Sequence, residues 1–140
     1  MPVFLDIANS TPGNISAALI LLFALLIGHA LCDYALQSDF LAHAKNHKAD
    51  LSRYFPDGTP QGLWFNVLMA HSLIHAGAVW LITGSAVFAL LEWFLHALID
   101  FCKSEEWISF RTDQALHRIC KVLYVALLCM GMDWVTWSPV

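Results

Sequence analysis

Charge is scarce in this chain. Only 13% of its 140 residues are Asp, Glu, Lys or Arg, where an ordinary soluble domain carries roughly 25%, and 59% are hydrophobic. So few polar residues cannot furnish the outer surface of a small soluble bundle, which points instead to a membrane protein. Positive charge is scarcer still: seven Lys and Arg, with no basic cluster of the kind that grips nucleic acid. Four cysteines (Cys32, Cys102, Cys120, Cys129) form no C-x-x-C pair, which argues against a disulfide framework and leaves them as small core residues. The first apolar run has no positively charged segment before it and is long enough to span, so it reads as a helix and not as a cleavable signal.

What remains is a chain of long apolar runs. At about 20 residues per crossing, four helices fit, at about 15–36, 62–82, 86–103 and 113–136, with an interfacial loop at 38–61. The expected fold is all-α: a single-domain integral membrane four-helix bundle. All seven basic residues (Lys45, Lys48, Arg53, Lys103, Arg111, Arg118, Lys121) fall in or beside the first and third connections. The positive-inside rule then makes those connections cytoplasmic and places both termini outside a multi-pass cytoplasmic membrane. Phe4, Leu5, Trp134 and Trp137 read as outer-interface residues, and Trp64 and Phe65 as the anchor where the second helix enters.

Each apolar run carries an ionisable stripe. His29, Asp33 and Gln37 are spaced i+4, as are His71 and His75, then Glu92, His96 and Asp100, then Asp113, His117 and Lys121. Residues four apart share a helix face. Such side chains are costly against lipid, roughly 2.5–3.5 kcal/mol for an Asp at a helix centre, so the stripes should face a common interior. Depth can be counted from the turns. His71 lies thirteen residues before Gly84 and His96 twelve after it; Asp100 lies seven before Trp107 and Asp113 six after; His96 and His117 match at eleven and ten. Four helices therefore bring His29, Asp33, His71, His75, His96, Asp100, Asp113 and His117 into one layer in the cytoplasmic half. Five imidazoles and three carboxylates suit two divalent transition ions (zinc, iron or manganese) better than calcium or magnesium, which prefer all-oxygen shells.

Glu92 and Lys121 also match in depth, at fifteen before and fourteen after Trp107, and read as a buried ion pair. Glu92 is alternatively a general base, or a partner that orients His75 or His96. Gln37, Gln114 and Lys103 are positioned to face a substrate or support the ligands. His43 and His47 are also i,i+4, but they lie among Lys45, Lys48 and Asp50 on what reads as a solvated interfacial helix.

The blocks His29-Ala-Leu-Cys-Asp33-Tyr-Ala-Leu-Gln37, Lys45 to Lys48, His71-x-x-x-His75, His96-Ala-Leu-Ile-Asp100-Phe-Cys-Lys103 and Asp113-Gln114-Ala-Leu-His117 resemble, in order and spacing, a bacterial membrane-protein family called domain of unknown function 3307. The likeness covers about Ile15 to Leu127. It implies a bacterial inner-membrane protein and carries no settled activity. Glu92, Lys121, the N-terminal extension and His43/His47 lie outside the matched pattern.

The functional expectation is a metal-dependent hydrolase with a dinuclear site near the cytoplasmic surface, acting on a lipid-linked phosphoester or acyl substrate. No serine or cysteine stands out as a nucleophile, in keeping with attack by water. A non-enzymatic subunit of a larger membrane complex, structural or ligating metal, pigment or haem, is the alternative. A di-iron oxidoreductase is the other, although its usual Glu-x-x-His pairs are missing.

Overall fold

In the computed structural model of the chain, residues 7–131 are described. Among them there is helix but no strand. Helix α1 (Ile15–Ala30) starts at Asn14, whose Oδ1 accepts from the Ala17 N–H at 3.1 Å. It runs directly into a π-helical turn, Leu31–Ala35, where the Leu36 N–H reaches back five residues to the Leu31 carbonyl at 2.9 Å. The expected helix over 15–36 is therefore continuous in path but widened over its last turn, a local feature that apolar periodicity does not reveal.

The interfacial loop holds a short helix, α2 (Asp39–Ala44), capped by Ser38. Tyr54 donates to Asp39 and holds that exposed carboxyl below its ordinary range. Ala44 and Leu51 are buried with Val67, and Phe40, Leu41, Tyr54 and Phe55 close around them. The loop thus builds its own small core over the start of α3 (Leu63–Thr83).

Gly84, at φ 71°, supplies the left-handed turn that ends α3. Ser85 then caps α4 (Ala86–Ser104), its hydroxyl accepting from the Phe88 N–H. The last helix, α5 (Phe110–Cys129), begins three residues before the expected position because Ser109 caps it, accepting from the Thr112 N–H at 3.2 Å. It ends at a turn through Gly131, φ 66°. The helix thus stops short of the expected 136, because Met130 caps it and Gly131 turns the chain; residues 132–136, together with Phe4, Leu5 and Trp137, lie outside the described residues.

Contacts link α1 to α3, α3 to α4, α4 to α5 and α5 back to α1, so the four long helices enclose one interior. Towards the Gly84 end that interior is apolar, built from Leu21, Leu25, Val79, Phe88, Tyr124, Val125 and Leu128. Towards the other end it is polar. Meanwhile large apolar side chains face outward, with Ile15 79%, Phe23 65% and Leu81 83% exposed, whereas Lys121 and Glu92 are 1% exposed. Two helical stretches, Ile15–Ala35 and Leu63–Thr83, are long and apolar enough to cross a membrane.

Candidate metal centre

The polar end of the interior is assembled from four helices. α1 supplies His29 and its π turn carries Asp33; α3 supplies His71 and His75; α4 supplies Glu92, His96 and Asp100; α5 supplies Asp113, Gln114, His117 and Lys121. All of these are buried. The level pairing expected from counting residues along the helices is present: His96 Nε2 meets His71 Nε2 at 3.3 Å, and the His96 and His117 rings stack with centroids 4.1 Å apart.

Two groups among the described residues could hold a metal ion, Asp33 with His71, His75 and His96, and His96 with Asp100 and His117. In the first, Asp33 Oδ1 stands 3.1 Å from His75 Nε2 and 3.6 Å from His71 Nε2. A tetrahedral ion with ligands about 2.0–2.1 Å away sets its ligand atoms about 3.3 Å apart; these two contacts and the 3.3 Å between His96 Nε2 and His71 Nε2 match three of the six edges of such a site, and one ligand atom from each of the four residues lies within 4.8 Å of the others. In the second, Asp100 Oδ2 lies 3.7 Å from His96 Nε2 and Asp100 Oδ1 3.6 Å from His117 Nε2. One imidazole nitrogen serves one ion, so His96 belongs to one group at a time.

His29 and Asp113 flank these groups. The His29 ring centroid is 5.3 Å from those of both His75 and His117, and its Nε2 is 3.5 Å from Asp33 Oδ2. Asp113 Oδ1 is 3.6 Å from His117 Nε2. Both His29 ring nitrogens, His75 Nε2, His117 Nε2 and Asp113 Oδ1 are buried without a hydrogen-bond partner. Leaving such groups unpaired costs about 1–3 kcal/mol each, a penalty that a bound cation would remove at the lone-pair atoms, which for His29 is one ring nitrogen of the two.

The layer is braced from outside. Gln114 donates to Asp33 Oδ2 at 2.9 Å and to Asp113 Oδ2 at 3.3 Å, holding two carboxylates with one amide. Glu92 accepts from Lys121 and, at 3.0 Å, from the Tyr124 hydroxyl, and its Oε1 lies 3.2 Å from His96 Nδ1. A carboxylate so placed can only accept, so His96 carries its hydrogen on Nδ1 and turns the Nε2 lone pair inward, the usual way a carboxylate fixes a ligating histidine. The ion-pair reading of Glu92 and Lys121 matches this geometry, and Glu92 has little capacity left to act as a base.

Three features escaped the sequence. Tyr124 sits three residues beyond Lys121 on the same stripe and could have been read from it. The π turn had no visible signal. Lys45, read as a solvated loop residue, donates to Asp100 Oδ2 at 2.7 Å from 55 residues away. His43 and His47 do lie apart from the layer: His43 Nδ1 pairs with the Asp39 carbonyl, and His47 Nε2 stands 3.0 Å from Glu105.

A cavity of about 230 Å³ opens beside the layer, lined by Asp33, Asp100 and Asp113 from the polar layer and by Lys45, Lys103 and Gln37 among others.

No curated protein and no solved structure matches the chain. A family model described as "Protein of unknown function (DUF3307)" matches residues 21–139. Covering most of the chain and all of the polar layer, that match means the chain belongs to the DUF3307 family.

Proposed function

We propose that this protein is a membrane-embedded four-helix bundle holding two divalent transition-metal ions, and that it hydrolyses a phosphoester or acyl bond of a lipid-linked substrate near the cytoplasmic surface. The observation that carries the reading is the quartet of Asp33, His71, His75 and His96, whose candidate ligand atoms lie within 4.8 Å of one another and three of whose contacts, at 3.1–3.6 Å, match edges of a tetrahedral site. The second ion would take Asp100 and His117 with His29 or Asp113. The unpartnered nitrogens of His29, His75 and His117 support the same assignment.

Membrane insertion is supported by the inverted surface, apolar outside and charged inside, together with the two span-length helices. Lys45, Lys48 and Arg53 in the first connection, with Lys103 and Arg111 in the helix turns that flank the link between α4 and α5, support cytoplasmic placement of the polar end and outside placement of both termini. α4 and α5 are more highly charged: the buried Glu92, Asp100, Asp113 and Lys121 face inward, whereas Lys103 is half-buried and Arg111 and Arg118 are exposed.

Bound ions would supply Lewis acidity and lower the pKa of water enough for attack at neutral pH. The protein's own residues do the rest. Asp113, which lines the cavity and whose buried Oδ1 has no hydrogen-bond partner, would receive the proton where His29 completes the second site. Glu92 and Gln114 hold the ligand set in place, and the apolar interior towards Gly84 keeps bulk water away.

Element analysis of the purified protein tests the metal, and turnover of a phosphoester and acyl-ester panel tests the hydrolysis. About two equivalents, reduced in His71→Ala and Asp100→Ala, with turnover that follows the metal, is the expected result. Folded protein with no metal would overturn the proposal. Metal without turnover of any ester would leave a metal-binding subunit and sink the hydrolase.

A further inference from the structure

The cavity beside the layer has a composition that the metal centre alone does not require. Its inner wall is acidic, from Asp33, Asp100 and Asp113, and its outer wall presents Lys45 and Lys103 with Gln37, Tyr34 and Phe110. Three carboxylates against two ammonium groups leave it one negative charge. Two divalent cations bound in the layer would reverse this to three positive charges, beside buried carboxylates where charge acts more strongly than in water. The size is restrictive as well: about 230 Å³ lies under the roughly 300–1,000 Å³ of pockets that enclose whole small molecules.

The polar groups are also placed for an incoming anion. Lys45 is tied to Asp100, whereas Lys103 approaches the Phe110 ring at 5.9 Å and forms no ion pair among the described residues. Gln37 has its buried Oε1 without a partner. Turning that amide about its last torsion presents its N–H groups to the cavity instead.

We propose that this cavity is the binding site for a phosphate-type oxyanion, held between the metal centre on one side and Lys103 and Gln37 on the other, with Lys45 sharing its charge between Asp100 and the anion. The inference rests on the metal reading, because without cations the three carboxylates would repel the same anion. It adds to that reading a substrate class and two binding residues outside the ligand layer. The phosphate could belong to a lipid headgroup or to a soluble molecule, since the cavity opens on the loop side, where both are within reach.

The test is calorimetric titration of inorganic phosphate into the full-length protein in detergent, with metal content measured on each sample. The metal-loaded protein should bind phosphate, and Lys103→Met should weaken binding tenfold or more while retaining its metal. Lys103→Arg should recover most of the affinity, and Lys48→Gln, outside the cavity, should bind as the parent does. Competition by phosphatidic acid in the micelle would assign the site to a lipid headgroup, and competition by a soluble phosphomonoester alone to a soluble substrate; both outcomes support the site. Full metal content with equal phosphate affinity in Lys103→Met would overturn the anion site and leave the metal centre standing. Undiminished phosphate binding by metal-free protein would also overturn the site as described, and a protein that never holds metal would overturn both.

Discussion

Replacing Lys121 by methionine should be among the most damaging single changes in this protein. Lys121 and Glu92 are each 1% exposed and joined by a direct hydrogen bond between α5 and α4. Methionine fills much of the lysine stem's volume, so the loss is chiefly electrostatic. It leaves the Glu92 carboxylate buried with only the Tyr124 hydroxyl and His96 to solvate it. Removing one partner of a buried pair costs about 3–5 kcal/mol, against a total stability of about 5–15 kcal/mol for a domain. The double variant Glu92→Gln/Lys121→Met removes the stranded charge and keeps an acceptor for Tyr124, so it should recover at least about 2 kcal/mol of that loss. Equilibrium unfolding in mixed micelles, run on both single variants and the double, measures the coupling. A Lys121→Met protein within about 1 kcal/mol of the parent, or a double variant less stable than Lys121→Met alone, would refute the reasoning.

Other consequences are more local. His117→Ala should reduce metal content, whereas His43→Ala and His47→Ala, outside the layer, should leave it unchanged by element analysis. Imidazole binds metal only when neutral, and its ordinary pKa is about 6.5. Protons therefore compete with the metal, and retention should be full above neutrality and fall on acidification, below the ordinary imidazole range by an amount that grows with the site's affinity, measured by dialysis at stepped pH; metal released by acid without uptake of protons would contradict a histidine site. At Gly28 a Cβ would lie 2.9 Å from the end of the Ile82 side chain, which can rotate away. Gly28→Ala should thus be tolerated, while Gly28→Leu should cost about 1–3 kcal/mol in the same unfolding assay and lower metal content by displacing His29.

The helices and their polar layer were legible because two periodicities coincide here. Apolar runs of span length marked the elements, and i,i+4 ionisable pairs such as His71/His75 and His96/Asp100 marked one face of each. Counting from Gly84 and Trp107 then aligned them, since adjoining helices rise at the same rate per residue. The level pairs His71/His96 and Glu92/Lys121 duly meet. What stayed hidden was either backbone detail or long-range contact. The π turn at Leu31–Ala35 breaks the simple i+4 stripe of α1, so Asp33 reaches both α3 and α5 and Gln37 lines the cavity. Lys45 meets Asp100 only because the loop folds over α3 on its Ala44–Leu51–Val67 core, and no local pattern records that closure. The early start of α5 depended on Ser109, a cap inside a stretch that otherwise read as a link.

The central claim is that the buried His and Asp layer is a metal centre. X-ray absorption at the edge of whatever transition metal copurifies with the protein tests it most directly. The proposed centre predicts imidazole scattering from several histidines, metal–ligand distances of about 2.0–2.2 Å and, with both sites filled, a metal neighbour roughly 3.5–4 Å away. A folded protein with no metal edge, or an edge whose shell contains no imidazole, would contradict it.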